Sequence, residues 1–242
     1  MNKHNRGFSL IELLVVIVII CILTTLIAHG IFGALETARS AACKNNIRQM
    51  VIASHMYAND NNGYLPPAYT RDYSSQGTTT WENYLWSYDS RAANDNKVHQ
   101  CPSFKGNAMW DGDHYTGYNY NSSYLGGNYH IIKGNLDPNS PRSAKFSVIK
   151  DPATCAMFGD GQYESGANKF MRSPYPGPLD TDAGLALAGT QGFRHRRNTT
   201  NVGFVDGSVR ALDECFTKSA AWGKVAKKCG FLSEDNSMYD YD

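Results

Sequence analysis

The feature that most constrains this 242-residue chain is a long apolar run near its start. Residues 8–28 contain one charged side chain, Glu12, and are otherwise almost entirely apolar. A helix rises about 1.5 Å per residue, so this run is long enough to cross a hydrocarbon layer of roughly 30 Å. Lys3 and Arg6 precede it. The preference for positive charge on the cytoplasmic side predicts a cytoplasmic N-terminus and export of everything after Ala28.

Three interpretations of this run compete. A cleaved secretory signal has a shorter apolar core followed by small residues, and the sequence Ala28-His29-Gly30 fits that pattern poorly. A plain membrane anchor fits the length but leaves Glu12 unexplained. A carboxylate inside an apolar helix is costly unless it has a partner, and is therefore usually functional. In the headgroup region it would be cheap, and the residues alone leave these two possibilities for Glu12 open.

Residues 7–12 read GFSLIE, and this hexapeptide resembles the class III signal of type IV prepilins and type II secretion pseudopilins. The resemblance implies that a membrane peptidase cleaves between Gly7 and Phe8, so that residues 1–7 are a leader peptide, and that Phe8 becomes the N-methylated first residue. Glu12 is then the fifth residue of the mature chain. In the family this carboxylate pairs with the N-terminal ammonium of a neighbouring subunit, which makes its burial in a low-dielectric assembly tolerable.

The sequence predicts that the helix continues beyond the membrane. Apolar and small side chains recur at three- and four-residue spacing after residue 40, which indicates one stripe of an amphipathic helix. No proline interrupts before Pro66, so we expect one helix over residues 8–60, with residues 8–28 in the membrane. Gly30 and Gly33 either permit a bend or are simply tolerated. The stripe comprises Cys43, Ile47, Met50, Val51, Ser54, Tyr57 and Ala58.

Later segments resemble the same group, in particular the prepilin-like proteins that are abundant in some environmental bacteria. Residues 38–67 show that group's Ala-Arg pair, its cysteine and its Gly-Tyr-Leu-Pro stretch. Near the end, His195 and the pair Asp206-Gly207 resemble a processing-associated motif in which nine residues separate the histidine from Asp-Gly. Here ten residues separate them. A bulge or slipped turn before Asn201 would absorb the extra residue.

We interpret both parts of this motif as structural. Asp206-Gly207 lies between residues 202–205 and 208–212 and is the strongest hairpin signal in the chain, because a tight type I′ turn needs positive φ. His195 has no metal ligand or nucleophile at a diagnostic spacing. It belongs to a basic cluster, residues 194–197, that we expect to be a solvated strand end. The formal net charge of +1 argues against a general nucleic-acid partner.

Six cysteines in an exported chain invite disulfides, because the compartment beyond the inner membrane is oxidising. Cys215 and Cys229 would close a short loop near the end of the chain. Cys43 lies in segment 38–67, and Cys101 begins a Cys-Pro-Ser stretch that also resembles the group, which implies that the two cysteines pair or pack together. Spacing alone does not fix the connectivity. No Cys-x-x-Cys pair is present, so no metal site is predicted.

The sequence contains no motif of a catalytic serine, a zinc protease or a phosphate-binding loop, so we expect a structural protein and not an enzyme. No cofactor is expected. Residues 111–113 and 180–184 offer oxygen ligands for a structural calcium ion, but neither stretch has EF-hand spacing, and Asp-Gly pairs more often form turns.

Together these patterns predict an α+β, pilin-like fold. A long N-terminal helix would pack on an antiparallel β-sheet of about four strands, and residues 61–242 would form the exported β-rich domain with long Tyr/Asn-rich loops outside. The resemblance implies assembly into a type II secretion pseudopilus or a type IV pilus-like filament. The expected partners are prepilin peptidase, other pilin subunits, an inner-membrane assembly platform and membrane lipid. The alternative is a membrane-tethered binding or adhesion module that does not polymerise and binds through its tyrosines.

Overall fold

The computed structural model of the chain describes residues 9–88, 96–109, 117–180, 189–219 and 223–241. The chain divides into two compact units, Met1–Ala38 and Arg39–Asp242. Short helical turns lie at Asn96–His99, Ser122–Gly126 and Phe146–Val148. The other elements, numbered in chain order, are α1 (Leu10–Asp60), β1 (Tyr69–Asp72), β2 (Gly77–Thr80), α2 (Trp81–Leu85), β3 (Asn119–Asn121), β4 (Asn128–Ile132), β5 (Asn135–Leu136), β6 (Ala156–Gly159), β7 (Phe170–Met171), β8 (Gln191–Gly192), β9 (Thr200–Phe204), β10 (Val209–Leu212), β11 (Lys218–Ser219), β12 (Gly223–Lys224) and β13 (Cys229–Gly230).

Helix α1 confirms the predicted long N-terminal helix and has 51 residues. It is continuous through Gly30 and Gly33, so neither glycine interrupts it. It ends where Asn62 and Gly63 adopt left-handed backbone angles, with φ of 54° and 81°. The Gly63 amide donates to the Ala58 carbonyl at 2.8 Å, which satisfies one of the last carbonyls of the helix.

Within the first unit, apolar side chains lie on every side of α1. Leu10 is 80% exposed and Phe32 is 73% exposed, and the large apolar side chains described between them are about half exposed or more. By length and composition, α1 can cross a membrane. A helix that is apolar all round is stable where apolar neighbours, either lipid or protein, surround it.

The second unit contains two mixed sheets and two short strand pairs. The larger sheet has the order β10-β9-β6-β3-β7 and is antiparallel except between β3 and β7. The smaller has the order β2-β1-β4-β5 and is antiparallel except between β1 and β4. The predicted α+β class is confirmed, and the sheets are antiparallel, as predicted, except at these two pairs. Both parallel pairs join strands separated by long stretches of chain, as parallel pairing requires.

The apolar stripe of α1 packs on strand β9. A Cβ at Gly203 would lie 2.4 Å from Cγ2 of Ile47 and 3.1 Å from Cγ2 of Val51, so only glycine allows this close approach. The predicted stripe is confirmed, because Tyr57 is partly buried and its other members are buried.

The other face of β9 is also covered. Val202 and Phe204 point away from the helix and pack with C-terminal residues, among them Phe231 and Tyr239. All five residues of β9 are buried. Strand β9 is therefore a central strand with a core on each side.

Residues 118–121 belong to a Tyr/Asn-rich stretch for which the sequence predicts short strands joined by surface loops; a short strand is found, but it lies in the interior. These four residues (YNYN) are buried, and β3 lies inside the larger sheet. The Asn121 side chain donates to the carbonyls of Ala156, at 2.9 Å, and Tyr239, at 2.8 Å. A buried amide is tolerated when protein groups replace its hydrogen bonds to water, and backbone carbonyls do so here.

The predicted hairpin before residue 212 is confirmed, with a different turn. Strands β9 and β10 pair with Val209 opposite Gly203. The Phe204 amide donates to the Ser208 carbonyl at 2.9 Å, so three residues form the loop. Within this loop positive φ occurs only at Gly207, at 88°. A three-residue loop with a left-handed glycine thus replaces the expected type I′ turn.

Candidate functional site

At the start of α1, Glu12 has a local structural role. Its Oε2 accepts a hydrogen bond of 2.9 Å from the backbone amide of Ser9. This is one half of a capping box, in which a glutamate in the first turn satisfies an amide ahead of the helix. The helix dipole also favours a carboxylate at this end. Gly7 and Phe8, the predicted cleavage and methylation residues, lie outside the described residues.

In the second unit, four potential metal-ligating side chains meet in the interior. Cys43, Cys101, Asp160 and His195 are buried, and their ligand atoms all lie within 4.8 Å of one another. They come from helix α1, the loop after the Asn96–His99 turn, the end of β6 and the segment before β9. No local spacing joins them. Sequence reasoning therefore missed Asp160 entirely and assigned no partner to His195.

Direct contacts hold these four side chains, the buried cluster, together. The sulfur atoms of Cys43 and Cys101 are 3.9 Å apart, and Cys101 Sγ is 3.9 Å from His195 Nε2. The Cys43 thiol donates to Asp160 Oδ1 at 3.1 Å, and His195 Nε2 lies 3.0 Å from Asp160 Oδ2. Asp160 Oδ2 also accepts a 2.7 Å hydrogen bond from the Asn201 amide. The carboxylate is thus the centre of the cluster.

Arg194 adds a positive charge to the buried cluster. Its guanidinium donates to Asp160 Oδ1 at 3.2 Å and to Cys101 Sγ at 3.4 Å. The prediction that residues 194–197 are a solvated strand end is therefore corrected. Arg194 and His195 turn inward to the carboxylate, whereas the two arginines that follow them are exposed.

These contacts set the charge state of the cluster. Burial alone would raise the pKa of Cys101, but the Cys43 thiol, Arg194 and His195 stabilise the thiolate and lower that pKa to about 5. Burial alone would lower the pKa of His195, but its contacts with Asp160 and Cys101 raise that pKa to about 10. Arg194 and His195 hold the pKa of Asp160 below its usual range, against the effect of burial. The charges of thiolate, carboxylate, imidazolium and guanidinium cancel, which makes their common burial tolerable.

Local backbone geometry brings Cys101 and His195 into place. Gly117 has φ of 93°, and a Cβ there would lie 2.8 Å from Cys101 Cβ, so a glycine is needed beside this cysteine. After His195, residues 197 and 198 adopt left-handed angles in a turn that ends at Thr199. The His195 amide donates to the Thr199 carbonyl at 3.0 Å. This turn lies before Asn201, and that it absorbs the extra residue of the motif stays a prediction.

The buried cluster does not have the geometry of a Cys-His-Asp catalytic triad. In a triad, the histidine contacts the nucleophile through one ring nitrogen and the carboxylate through the other. Here Nε2 of His195 faces both Cys101 and Asp160. The four side chains belong to residues that are at most 4% exposed, so they lie in the interior of the second unit. The arrangement suits a structural role.

The parts of the processing-associated motif do not form one site. His195 lies in the buried cluster, at one end of β9, and Asp206-Gly207 forms the hairpin turn at the other end. Asp206 Oδ1 accepts a 2.8 Å hydrogen bond from the Ser208 amide, which fixes the turn. Asp206 is exposed and serves the local backbone, as its structural interpretation predicted.

All six cysteines are free of disulfide bonds in this structure. Cys43 and Cys101 lie side by side, and a disulfide between them stays a prediction. The Cys215 thiol faces the Cys229 carbonyl at 3.6 Å, so these two residues are also adjacent.

The stretches considered for calcium are only partly described. Residues 111–113 and 181–184 lie outside the described residues. Asp180 Oδ1 pairs with Arg172 at 3.1 Å, and its Oδ2 accepts from the Gly177 amide at 2.8 Å. Each oxygen of Asp180 thus has a donor within the chain.

Comparison with known families gives two matches. Residues 2–28 match a family model described as the prokaryotic N-terminal methylation motif. Residues 34–90 match a model described as a protein of unknown function, DUF1559. Comparison with curated proteins and with solved structures gave no match. The first match confirms the resemblance drawn from residues 7–12, and the second overlaps the segment 38–67.

Proposed function

We propose that this chain, a type IV pilin-like protein by its methylation motif and its fold, is a structural subunit of an envelope filament. A prepilin peptidase removes residues 1–7 and Phe8 becomes the methylated N-terminus. The subunit waits in the inner membrane as a single-pass protein with its N-terminus in the cytoplasm and residues 61–242 in the periplasm or outside. An assembly platform then inserts it into a type II secretion pseudopilus or a type IV pilus-like filament.

The observation that supports this proposal most is the exposed apolar surface of α1 in the first unit. Apolar surface is stabilised by roughly 25 cal/mol for each Å² that leaves water. Side chains on all sides of the helix are exposed, so it needs apolar neighbours all round. Lipid supplies them before assembly and neighbouring helices supply them afterwards. The packing residues are Leu10, Ile11, Leu13, Leu14, Val15 and Val16.

Glu12 is the one charged side chain in this apolar segment. Once residues 1–7 are removed, Phe8 carries an ammonium that can pair with the Glu12 carboxylate of an adjacent subunit. An ion pair of this kind fixes the axial position of one helix against the next, because a displaced carboxylate would be buried without its counter-charge. In the free subunit, the bond from the Ser9 amide holds the same carboxylate at the helix start.

Two substitutions at Glu12 separate the intersubunit role from the local cap. Glu12→Gln keeps an oxygen acceptor for the Ser9 amide but removes the charge, whereas Glu12→Ala removes both. We expect both variants to reach the membrane in wild-type amounts, measured by immunoblot. Filament yield, measured by shearing and electron microscopy, should fall at least about tenfold for both, because an unpaired charge is left in the low-dielectric assembly.

Filaments at wild-type yield in Glu12→Gln would reduce Glu12 to a helix cap and contradict the assembly role. The tethered-module alternative predicts no contact between α1 helices at all. Cys21 is exposed on the apolar helix and reports such contact directly. Oxidative crosslinking in cells should give a dimer that disappears in Cys21→Ser, and a lone tether should give none. The structure also weakens the alternative, since the described tyrosines that are exposed are Tyr73, Tyr163 and Tyr175.

A further inference from the structure

We propose that Cys43, Cys101, Asp160 and His195 bind one zinc ion that joins helix α1 to the larger sheet. Two sulfurs, one imidazole nitrogen and one carboxylate oxygen are ligands that zinc prefers, and four ligands complete a structural site. All four ligand atoms already lie within 4.8 Å of one another in the interior. This proposal departs from the sequence-based expectation of no metal site, which considered only local spacing.

The distances fit a tetrahedral ion. Zinc–sulfur bonds of about 2.3 Å place two thiolates about 3.8 Å apart, and a sulfur–nitrogen edge is about 3.6 Å. The Cys43–Cys101 sulfur separation is 3.9 Å, and Cys101 Sγ lies 3.9 Å from His195 Nε2. The contacts of Cys43 and His195 with Asp160 are hydrogen bonds of 3.1 and 3.0 Å. The first contact is to Oδ1 and the second to Oδ2, so a tetrahedral ion would bind one of these two oxygens, and the edge to that oxygen opens by a few tenths of an ångström when the ion replaces the proton.

The charges also fit. Two thiolates and a carboxylate carry one negative charge more than a divalent ion neutralises, and Arg194 supplies the compensating positive charge. Its guanidinium donates to both Asp160 and Cys101, at 3.2 and 3.4 Å. Such donors around the ligands orient them and hold them in place. Calcium and magnesium are excluded as occupants because they prefer oxygen-only ligand sets.

A disulfide between Cys43 and Cys101 is the competing fate of these thiols in an oxidising compartment. It would connect α1 to one loop and leave Asp160 and His195 as a separate ion pair. A zinc ion engages all four, so it links α1 with the end of β6 and with the segment that leads into β9. The convergence of the carboxylate and the imidazole on the same point as both sulfurs favours the metal.

The test is the zinc content and thiol state of the full chain, isolated in detergent from its native envelope without chelator or reductant. We expect about one zinc per chain by elemental analysis and free Cys43 and Cys101 by alkylation and mass spectrometry. Cys43→Ser should lower the zinc content to background. Cys155→Ser is the matched control, because this cysteine is buried but bonded to the Tyr239 carbonyl, and it should retain the zinc.

Cobalt replacement keeps the proposal testable if Cys43→Ser does not fold. The wild-type chain, freed of metal and given Co²⁺ alone, should show the intense visible absorption of a tetrahedral thiolate site. A Cys43–Cys101 disulfide in the isolated protein would overturn the proposal. So would zinc at background in the wild type, or a cobalt spectrum without thiolate bands.

Discussion

At the scale of single residues, Glu82 and Lys169 form a fully buried ion pair in the second unit. Each side chain is 1% exposed, and Lys169 Nζ contacts Glu82 Oε1 directly. Burial raises the pKa of Glu82, although the Lys169 ammonium opposes this shift. Removing one member of a buried pair is strongly destabilising because the other charge is left without compensation.

Lys169→Met should therefore lower the free energy of unfolding by about 3–5 kcal/mol near neutral pH. The variant leaves Glu82 buried without its ammonium, so the folded state binds a proton more tightly than the unfolded state. A carboxyl whose pKa is raised on folding costs stability as the pH rises through that pKa, and the cost disappears at acidic pH. We expect the deficit to shrink as the pH falls from about 8 to about 5. Thermal unfolding of the full chain in detergent, followed by circular dichroism, measures it.

The double variant Glu82→Gln/Lys169→Met is the control. It has no titrating carboxyl at this position, so its difference from the wild type should vary less with pH than that of Lys169→Met. A Lys169→Met deficit that stays constant or grows on acidification would contradict this account of the pair.

The buried cluster shows what the sequence hides at this scale. Cys43 and Cys101 were predicted to lie together, and they do. Asp160 carried no recognisable signal, because its neighbours in the cluster are all more than thirty residues away along the chain. A site assembled from a helix, two loops and a strand end has no characteristic residue spacing in the sequence. The inward orientation of Arg194 and His195 could therefore not be predicted.

At the scale of elements, helix α1 packs directly on strand β9 in the second unit. The helix was predictable from residue spacing alone, since apolar residues recur with helical period and no proline interrupts. The burial of strand β3 was not predictable, because Tyr and Asn side chains are typical of surface loops. Only the folded chain supplies the carbonyls that satisfy the buried Asn121 side chain.

Gly203→Ala tests the packing contact between α1 and β9. The new Cβ would lie 2.4 Å from Ile47 Cγ2, so the helix must move away from the strand. Overpacking of this kind typically costs about 1–3 kcal/mol. We expect the free energy of unfolding to fall by that amount in thermal unfolding of the full chain.

Gly166→Ala is the matched control for the same substitution. Its Cβ would meet its nearest neighbour at 3.6 Å, an ordinary contact, so its stability should change by less than about 0.5 kcal/mol. Equal effects of the two substitutions would mean that the helix does not rest on Gly203 as described.

At the scale of the whole molecule, the two units solve different physical problems. The second closes its own core on both faces of β9. The first leaves an apolar helix exposed on every side, which water does not tolerate. The first unit could be recognised from a short stretch of sequence, because the length of the apolar run, the charges that flank it and the motif at residues 7–12 are all local features. The fold of the second unit depends on contacts between distant segments, so its strand order and its buried cluster could be seen only in the structure.

The proposed assembly requires that the chain is first processed as a prepilin. The most direct measurement is the mass and the N-terminal sequence of the protein isolated from the membrane of its native cell. We expect a chain that begins with N-methylated Phe8 and lacks residues 1–7. An N-terminus still beginning at Met1, in a cell with an active prepilin peptidase, would contradict it.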